Sequence, residues 1–389
     1  MVIGTPVGND PLPDLLTPRG LRDPESVWSA VRRRDRVWRS EVLDSWVVAD
    51  HATCAAVLLD VGRFCSDWRR IGDDVPPSAL SVQTLDPPEH TAARKLLVAA
   101  FRARDWEGFA RRVDDRVRAR LDALARRPSF DFMADFAVPL ALEAVTDVLG
   151  ADPPDTASFA GLSSAIVDSM DYALRPETAT PGRRARAELA ELTGGWLAHP
   201  TRDGMIAFLA AHRDDSVDEG VLRNSLRVVL HSGYESASRL LGNALLACLD
   251  EPGTLERFAD GVPDAALQEL VRLAGPVQAE ARGCVADAEL AGRPIRAGET
   301  VTVLLGAANR DPDVFAEPGA VRFDRVPNPH LGFGRGPHAC PGSTLALVLA
   351  RAVLTAAARD HPGLRLVAEP VFRRNATLRG LERLVVATG

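Results

Sequence analysis

Cys340 closes a tightly constrained stretch, Phe333-Gly334-Arg335-Gly336-Pro337-His338-Ala339-Cys340-Pro341-Gly342. Its glycines and proline make a compact, largely fixed loop. Apolar residues at helical spacing begin straight after the cysteine. Pro341 suits the first helical position, where φ is preset and no N–H is required. Cys340 is therefore expected at a helix N-terminus, where free backbone N–H groups and the helix dipole favour a thiolate. The other cysteines are Cys54, Cys65, Cys248 and Cys284, and none forms a CxxC pair. A zinc cluster or dithiol redox pair is not expected. One thiolate is nonetheless enough to serve as the axial ligand of a haem iron. The plain alternative is a glycine-rich turn with a buried cysteine.

Other residues are spaced for chemistry too. Glu269 and Arg272 are three apart, on one helix face, as His90 and Arg94 are four apart. A run of polar residues, His231-Ser232-Gly233-Tyr234-Glu235-Ser236, interrupts an otherwise apolar segment. Taken singly, each set is more often a solvated face or a local ion pair.

Helices must position these groups. Apolar residues recur at helical spacing over 92–103, 106–126, 133–149, 184–199, 220–251, 264–274 and 343–359. The 220–251 pattern is long enough to cross a domain and carries the polar run at its middle. Segments 74–89, 150–157, 176–183 and 306–345 read as loops. Strand patterns are short: 36–38, 45–48 and 301–305, with a C-terminal hairpin expected from residues near Val371 and 384–387. The expected fold is mainly α with a small antiparallel β region, as one domain over 1–389.

Composition narrows the function classes. The 389 residues are 46% hydrophobic with a net charge of −7, which gives no reason to expect nucleic acid or a membrane surface as partner. The N-terminal stretch lacks a basic segment followed by an apolar one, so no signal peptide is expected. No run of 18 apolar residues occurs. A soluble, cytoplasmic protein is the expectation, in a reducing compartment.

The cysteine loop resembles the haem-binding signature F-G-x-G-x-H-x-C-x-G of the cytochrome P450 family. The likeness runs from near residue 20 to the end. Glu269-Leu270-Val271-Arg272 is similar to the family's E-x-x-R helix, and Arg322, in Val321-Arg322-Phe323-Asp324, to the second arginine that braces it. Asp86-Pro87-Pro88-Glu89-His90-Thr91-Ala92-Ala93-Arg94 resembles the segment whose His and Arg bind a haem propionate; Arg282 and His338 match two further propionate positions. The polar run resembles A-G-x-[D/E]-T on the oxygen side of the haem.

The resemblance implies the cytochrome P450 fold, with haem between the long helix and the cysteine helix. It implies haem b on Cys340, held by His90, Arg94, Arg282 and His338 and by the loop residues Phe333 and Gly334. It implies O₂ as co-substrate and electrons from NAD(P)H through a ferredoxin reductase and a ferredoxin. Arg102, Arg104, Arg111, Arg112 and Arg335 would form a basic patch for an acidic ferredoxin on the cysteine side. Gly233 would leave space for O₂, while Glu235 and Ser236 would organise protons there. Serine in place of threonine keeps the hydroxyl but loses the methyl that restricts its rotamer.

Substrate would meet His231, Ser232, Val277, Glu280 and the Asn375–Ala376 turn. His231 is either a histidine bonded within its own helix or a polar anchor for substrate. Glu280 either reaches the pocket or a propionate, or pairs with Arg282. The implied activity is oxidation of a small organic molecule in bacterial natural-product biosynthesis, free or tethered to a carrier protein. The alternatives are a peroxide-driven enzyme of the same fold and a haem-binding sensor without turnover.

Overall fold

The structure is a computed structural model and describes residues 10–251 and 253–388. Residues 1–9, the start of the stretch read as lacking a signal peptide, lie outside the described residues. Among the described residues no helix is long and apolar enough to cross a membrane.

The central helix, Glu219–Leu249, has 31 residues and so runs about 46 Å. The Asp218 side chain starts it by accepting the Val221 N–H. The helices Val138–Leu149, Asp264–Ala274 and Ser343–Asp360 all pack along it. Contact on several sides explains why Leu240, Leu241, Ala244 and Leu245 are all buried although no single stripe contains them.

The expected helices form at Glu89–Arg102, Trp106–Leu124, Val138–Leu149, Ala179–Thr193, Asp264–Ala274 and Ser343–Asp360. The third is entered through a π-helical turn, Phe132–Ala137. Part of the 176–183 loop is helix instead: Pro181 falls in its first turn, where a missing N–H costs nothing. Helices Pro24–Arg32, His51–Leu59, Thr156–Asp168 and Met205–His212 were not expected. Three are short, and Thr156–Asp168 carries serines and a glycine that blur its periodicity.

The main sheet has five strands in the order Val37–Ser40, Ser45–Val48, Thr300–Val303, Glu280–Cys284 and Phe64–Cys65. Its pairings are antiparallel except that Val47 lies opposite Thr302 in a parallel pair. The expected C-terminal hairpin is corrected. Val371–Phe372 pairs with Leu381–Arg383, while Val385–Ala387 pairs with Phe130–Asp131 and Arg365–Leu366. Both runs are β-favouring, and only tertiary packing separates them.

A long coil joins the sheet to the cysteine loop, and Glu269 fixes it. The Glu269 carboxylate is fully buried. It accepts from Arg272 Nε and Nη2 at 2.8 and 2.7 Å, the Arg322 backbone N–H at 2.8 Å, Arg325 Nε at 3.1 Å and Asn328 Nδ2 at 3.0 Å. Burial alone would raise its pKa, but these donors hold it below the usual carboxylate range. The second arginine is thus Arg325, not Arg322. The Arg322 side chain points outward to Glu317 and Asp324, and only its backbone meets Glu269. Arg325→Ala should cost about 3–5 kcal/mol, because it strips a partner from a buried charge. Arg322→Ala should cost less than about 0.5 kcal/mol. Urea denaturation of both variants checks this, and equal losses would return the role to Arg322.

Candidate active site

Gly334 and Gly336 both adopt positive φ, 66° and 76°. A Cβ on Gly336 would lie 2.6 Å from the Leu58 carbonyl oxygen, so the loop can seat against the helix His51–Leu59 only with glycine there. The Cys340 N–H donates to the Phe333 carbonyl at 2.8 Å and closes the loop. The following helix begins at Ser343, with Gly342 as its cap, slightly later than a start at Pro341. The sulfur faces the backbone N–H groups of Gly342 and Ser343, as a helix N-terminus requires. The sulfur is open by surface area, yet protein atoms crowd it. That desolvation raises the thiol above its ordinary value, against the amides and Arg94. The backbone amides and Arg94 favour the thiolate as expected, while burial opposes them.

The expected propionate ligands surround this loop. The Arg94 guanidinium donates to the Ala339 carbonyl. The His90 and His338 rings lie with centroids 4.3 Å apart and planes tilted by 39°, and Nε2 of each is buried without a hydrogen-bond partner. Desolvation, then His338 and Arg94, push His90 down to about 4. Asp86, which the sequence reading gave no role, lies 3.5 Å from His338 Nε2 and is held by the Ser66 and Asp67 N–H groups and Arg70. Arg282 is buried and donates Nη2 to Glu280 at 2.7 Å and Nη1 to the Ala281 carbonyl at 2.8 Å. Of the two readings for Glu280, the pair with Arg282 is the one formed. Its Oε1 would also lie 3.8 Å from a Cβ on Gly334, which places it beside the cysteine loop.

The central helix separates its polar run into two faces. Ser232 is exposed and Ser236 half-buried although both lie at mid-helix; each hydroxyl donates to the carbonyl four residues before it, at 2.6 Å. His231 and Glu235 point elsewhere. Glu235 pairs with Arg239, Nε to Oε2 at 2.9 Å, with both residues buried. His231 Nδ1 meets the Ser163 hydroxyl at 2.9 Å, from the helix Thr156–Asp168. His231 is thus neither bonded within its own helix nor on the face of Ser232. One residue is a turn of 100°, enough to move it away.

Gly233 is corrected as well. A Cβ there would come 2.7 Å from Val145 Cγ2, so the glycine allows close approach of the helix Val138–Leu149.

The outer pocket residues divide likewise. Val277 is half-buried and bridges Leu378. Asn375 is corrected from wall to brace: its amide donates to the Val167 carbonyl and accepts the Leu378 N–H. Ala376 packs against the cluster around Trp28, and its N–H binds Asp171. The basic patch is thinner than expected, because Arg104 and Arg112 both approach Asp147, at 3.1 and 3.6 Å. Arg239, Ser163, Asp86 and Arg325 are site residues that the sequence reading missed. The spacing of Arg239 four after Glu235 was the one available signal.

Two outcomes are expected. Gly233→Ala should cost about 1–3 kcal/mol by overpacking, and adding Val145→Ala should recover part of it in thermal denaturation. Intact stability with altered oxygen chemistry would return Gly233 to the oxygen side. Second, burial pushes His231 down to about 4, with Glu235 opposing it. The folded ring stays neutral while the unfolded one protonates near 6.5. Stability is full above that pH and drains by on the order of 3 kcal/mol as pH falls toward 4. His231→Asn should flatten this limb of a stability–pH curve.

Comparison with known proteins agrees with the geometry. The family model described as Cytochrome P450 matches residues 262–358. Cytochrome P450 107B1 of Saccharopolyspora erythraea is 31% identical over 372 residues, 89% of this chain and 90% of that one. Nocardicin C N-oxygenase of Nocardia uniformis is 32% identical over 360 residues, 88% and 89% of the two chains. The crystal structure of P450BioI in complex with hexadec-9Z-enoic acid ligated acyl carrier protein superposes with a TM-score of 0.82 at 27% identity, covering 95% of this chain and 100% of that one. The chain belongs to the cytochrome P450 family. It is a P450 monooxygenase, an enzyme that uses haem and O₂ with electrons from redox partners.

The residues fit that haem. One sulfur is open beside the buried Nε2 of His90, which lacks a hydrogen-bond partner, and Arg282 retains three further N–H donors. Among the described residues, no group of three or more His, Cys, Asp or Glu could hold a metal ion instead.

Proposed function

We propose that this monooxygenase oxidises a small organic molecule of a bacterial biosynthetic pathway, by hydroxylation, epoxidation, desaturation or coupling, free or carried on a carrier protein. Electrons come from NAD(P)H through a ferredoxin reductase and a ferredoxin. Relatives named for biotin biosynthesis and for nocardicin oxidation support the setting. Cys340 would ligate the iron, with His90, Arg94, Arg282 and His338 holding the propionates and Phe333 and Gly334 shaping the loop. When bound, the haem supplies the oxygen-activating chemistry.

The observation that carries the reading is a hydroxyl, Ser236, open at the middle of the central helix next to a buried carboxylate, Glu235. Turning Oγ away from the Ser232 carbonyl frees its proton for a bound partner. Burial opposes the charge of Glu235, but Arg239 beside it keeps its proton affinity below the usual carboxylate range. That same pairing with Arg239 favours a second reading, a peroxide-driven enzyme in which Glu235 delivers no proton.

Reconstitution with haem, NADH, a ferredoxin and its reductase separates the two. NADH- and O₂-dependent product is expected, carrying oxygen from ¹⁸O₂ when the reaction is hydroxylation or epoxidation. Ser236→Ala should then lower product formation roughly 10²-fold while NADH consumption continues and hydrogen peroxide is released. Equal turnover with hydrogen peroxide alone, insensitive to Ser236→Ala, would establish the second reading.

A further inference from the structure

Trp28, Gln278 and Arg379 are far apart in sequence, yet they line one narrow cleft. Trp28 comes from the helix Pro24–Arg32, and Gln278 from just before the strand Glu280–Cys284. Arg379 comes from just before the strand Leu381–Arg383. Leu15 and Leu21 add apolar wall. Trp28 and Gln278 are only 1% and 4% exposed. Each of the three side chains carries a buried polar atom without a hydrogen-bond partner among the described residues: Trp28 Nε1, Gln278 Oε1 and Arg379 Nε.

Gly306, in the short helix Leu305–Ala308, shows how near two of them lie. A Cβ there would fall 2.3 Å from Gln278 Oε1, and 2.8 and 3.0 Å from Trp28 Cζ2 and Cε2, the ring edge that carries Nε1. The missing side chain lets the amide oxygen and the indole edge approach the same point. They are neighbours, but the indole N–H does not donate to the amide oxygen.

The three groups are also fixed in direction. Gln278 Nε2 donates to the Gly275 carbonyl at 2.7 Å, so a flipped amide would set two oxygens against each other. Arg379 Nη2 donates to the Leu21 carbonyl at 3.2 Å, and its guanidinium lies 4.4 Å from the centre of the Phe372 ring. The Trp28 ring is packed in the cluster of Leu12, Val31 and Val47. None can turn to bulk water, and polar groups buried without a partner are costly.

The cleft has a volume of about 10 Å³, on the order of what one water molecule needs. Two donors and one acceptor complement a water, which accepts twice and donates once. A halide would face the lone pairs of Gln278 Oε1, and a cation would face two N–H groups. We propose that Trp28 Nε1, Gln278 Oε1 and Arg379 Nε bind a single ordered water, which ties the N-terminal helices to the segment leading into Gly380. The Arg379 carbonyl accepts from Asn243 Nδ2 at 3.3 Å, so this tie reaches the central helix through one residue.

The test is a crystal structure of the haem-loaded enzyme at a resolution that shows ordered water. One peak within about 2.7–3.2 Å of all three atoms is expected. Crystals grown in sodium bromide examine the competing ligand: an anomalous peak at that position identifies a halide and overturns the water. Absence of any density between the three atoms overturns the site altogether. Gln278→Met keeps the length of the side chain and removes the acceptor, and Trp28→Phe removes a donor. Each should raise the unfolding equilibrium constant about tenfold in urea denaturation. The double variant should lose clearly less than the product of the two, because both act on one water. Losses that multiply in full overturn the shared site. An unaltered spectrum of the reduced carbon monoxide complex shows that the variants remain folded around haem, and the unsubstituted crystal decides the question if they do not.

Discussion

A buried negative charge at Glu269 anchors the route to the cysteine. Removing a carboxylate from water is costly, and the cost is offset only when its oxygens are fully used. Here Arg272, Arg325, Asn328 and the Arg322 backbone use them. The segment from Asn309 to Gly342 has little regular structure, so backbone pairing cannot hold it in place. Fixed points do so instead: Glu269, the Asn309 side chain that accepts the Leu331 N–H, and Asp311, which accepts the His51 N–H. The cysteine loop is positioned by charges several residues away from it.

Within the site, polarity is arranged by helix face. The thiol side gathers imidazoles and guanidiniums around one sulfur. On the other side, hydroxyls occupy the open face of the central helix, while a neutral histidine turns toward the helix Thr156–Asp168 and the acid pairs with Arg239. The sulfur is harder to deprotonate than its helix position suggests, because desolvation outweighs the dipole.

Much of this was legible in the sequence. The loop before Cys340, the long helix and the Glu269/Arg272 pair all follow from local spacing, which chain geometry preserves. The failures share another cause. His231 and Ser232 are neighbours in sequence but lie a 100° turn apart, and only the packing of a third helix decides which faces the open side. Gly233 needed Val145, and Asn375 needed the Val167 carbonyl, before their roles could be seen. Arg322 and Arg325 are alike in type and three apart. The path of an irregular coil, which no periodicity describes, chose between them.

Gly380 lies in the turn before the strand Leu381–Arg383, far in sequence from the acid. A Cβ there would fall 2.5–2.9 Å from the stem of Arg239. The methylenes of Arg239 lie flat on that glycine, and its head is thereby delivered to Glu235. Any side chain at 380 would evict the counter-ion of the buried acid without touching the acid itself. Positions 235, 239 and 380 therefore form one heritable unit: in descendants of this gene, loss of the glycine should travel with loss of the arginine, and the acid should then be free to change its partner.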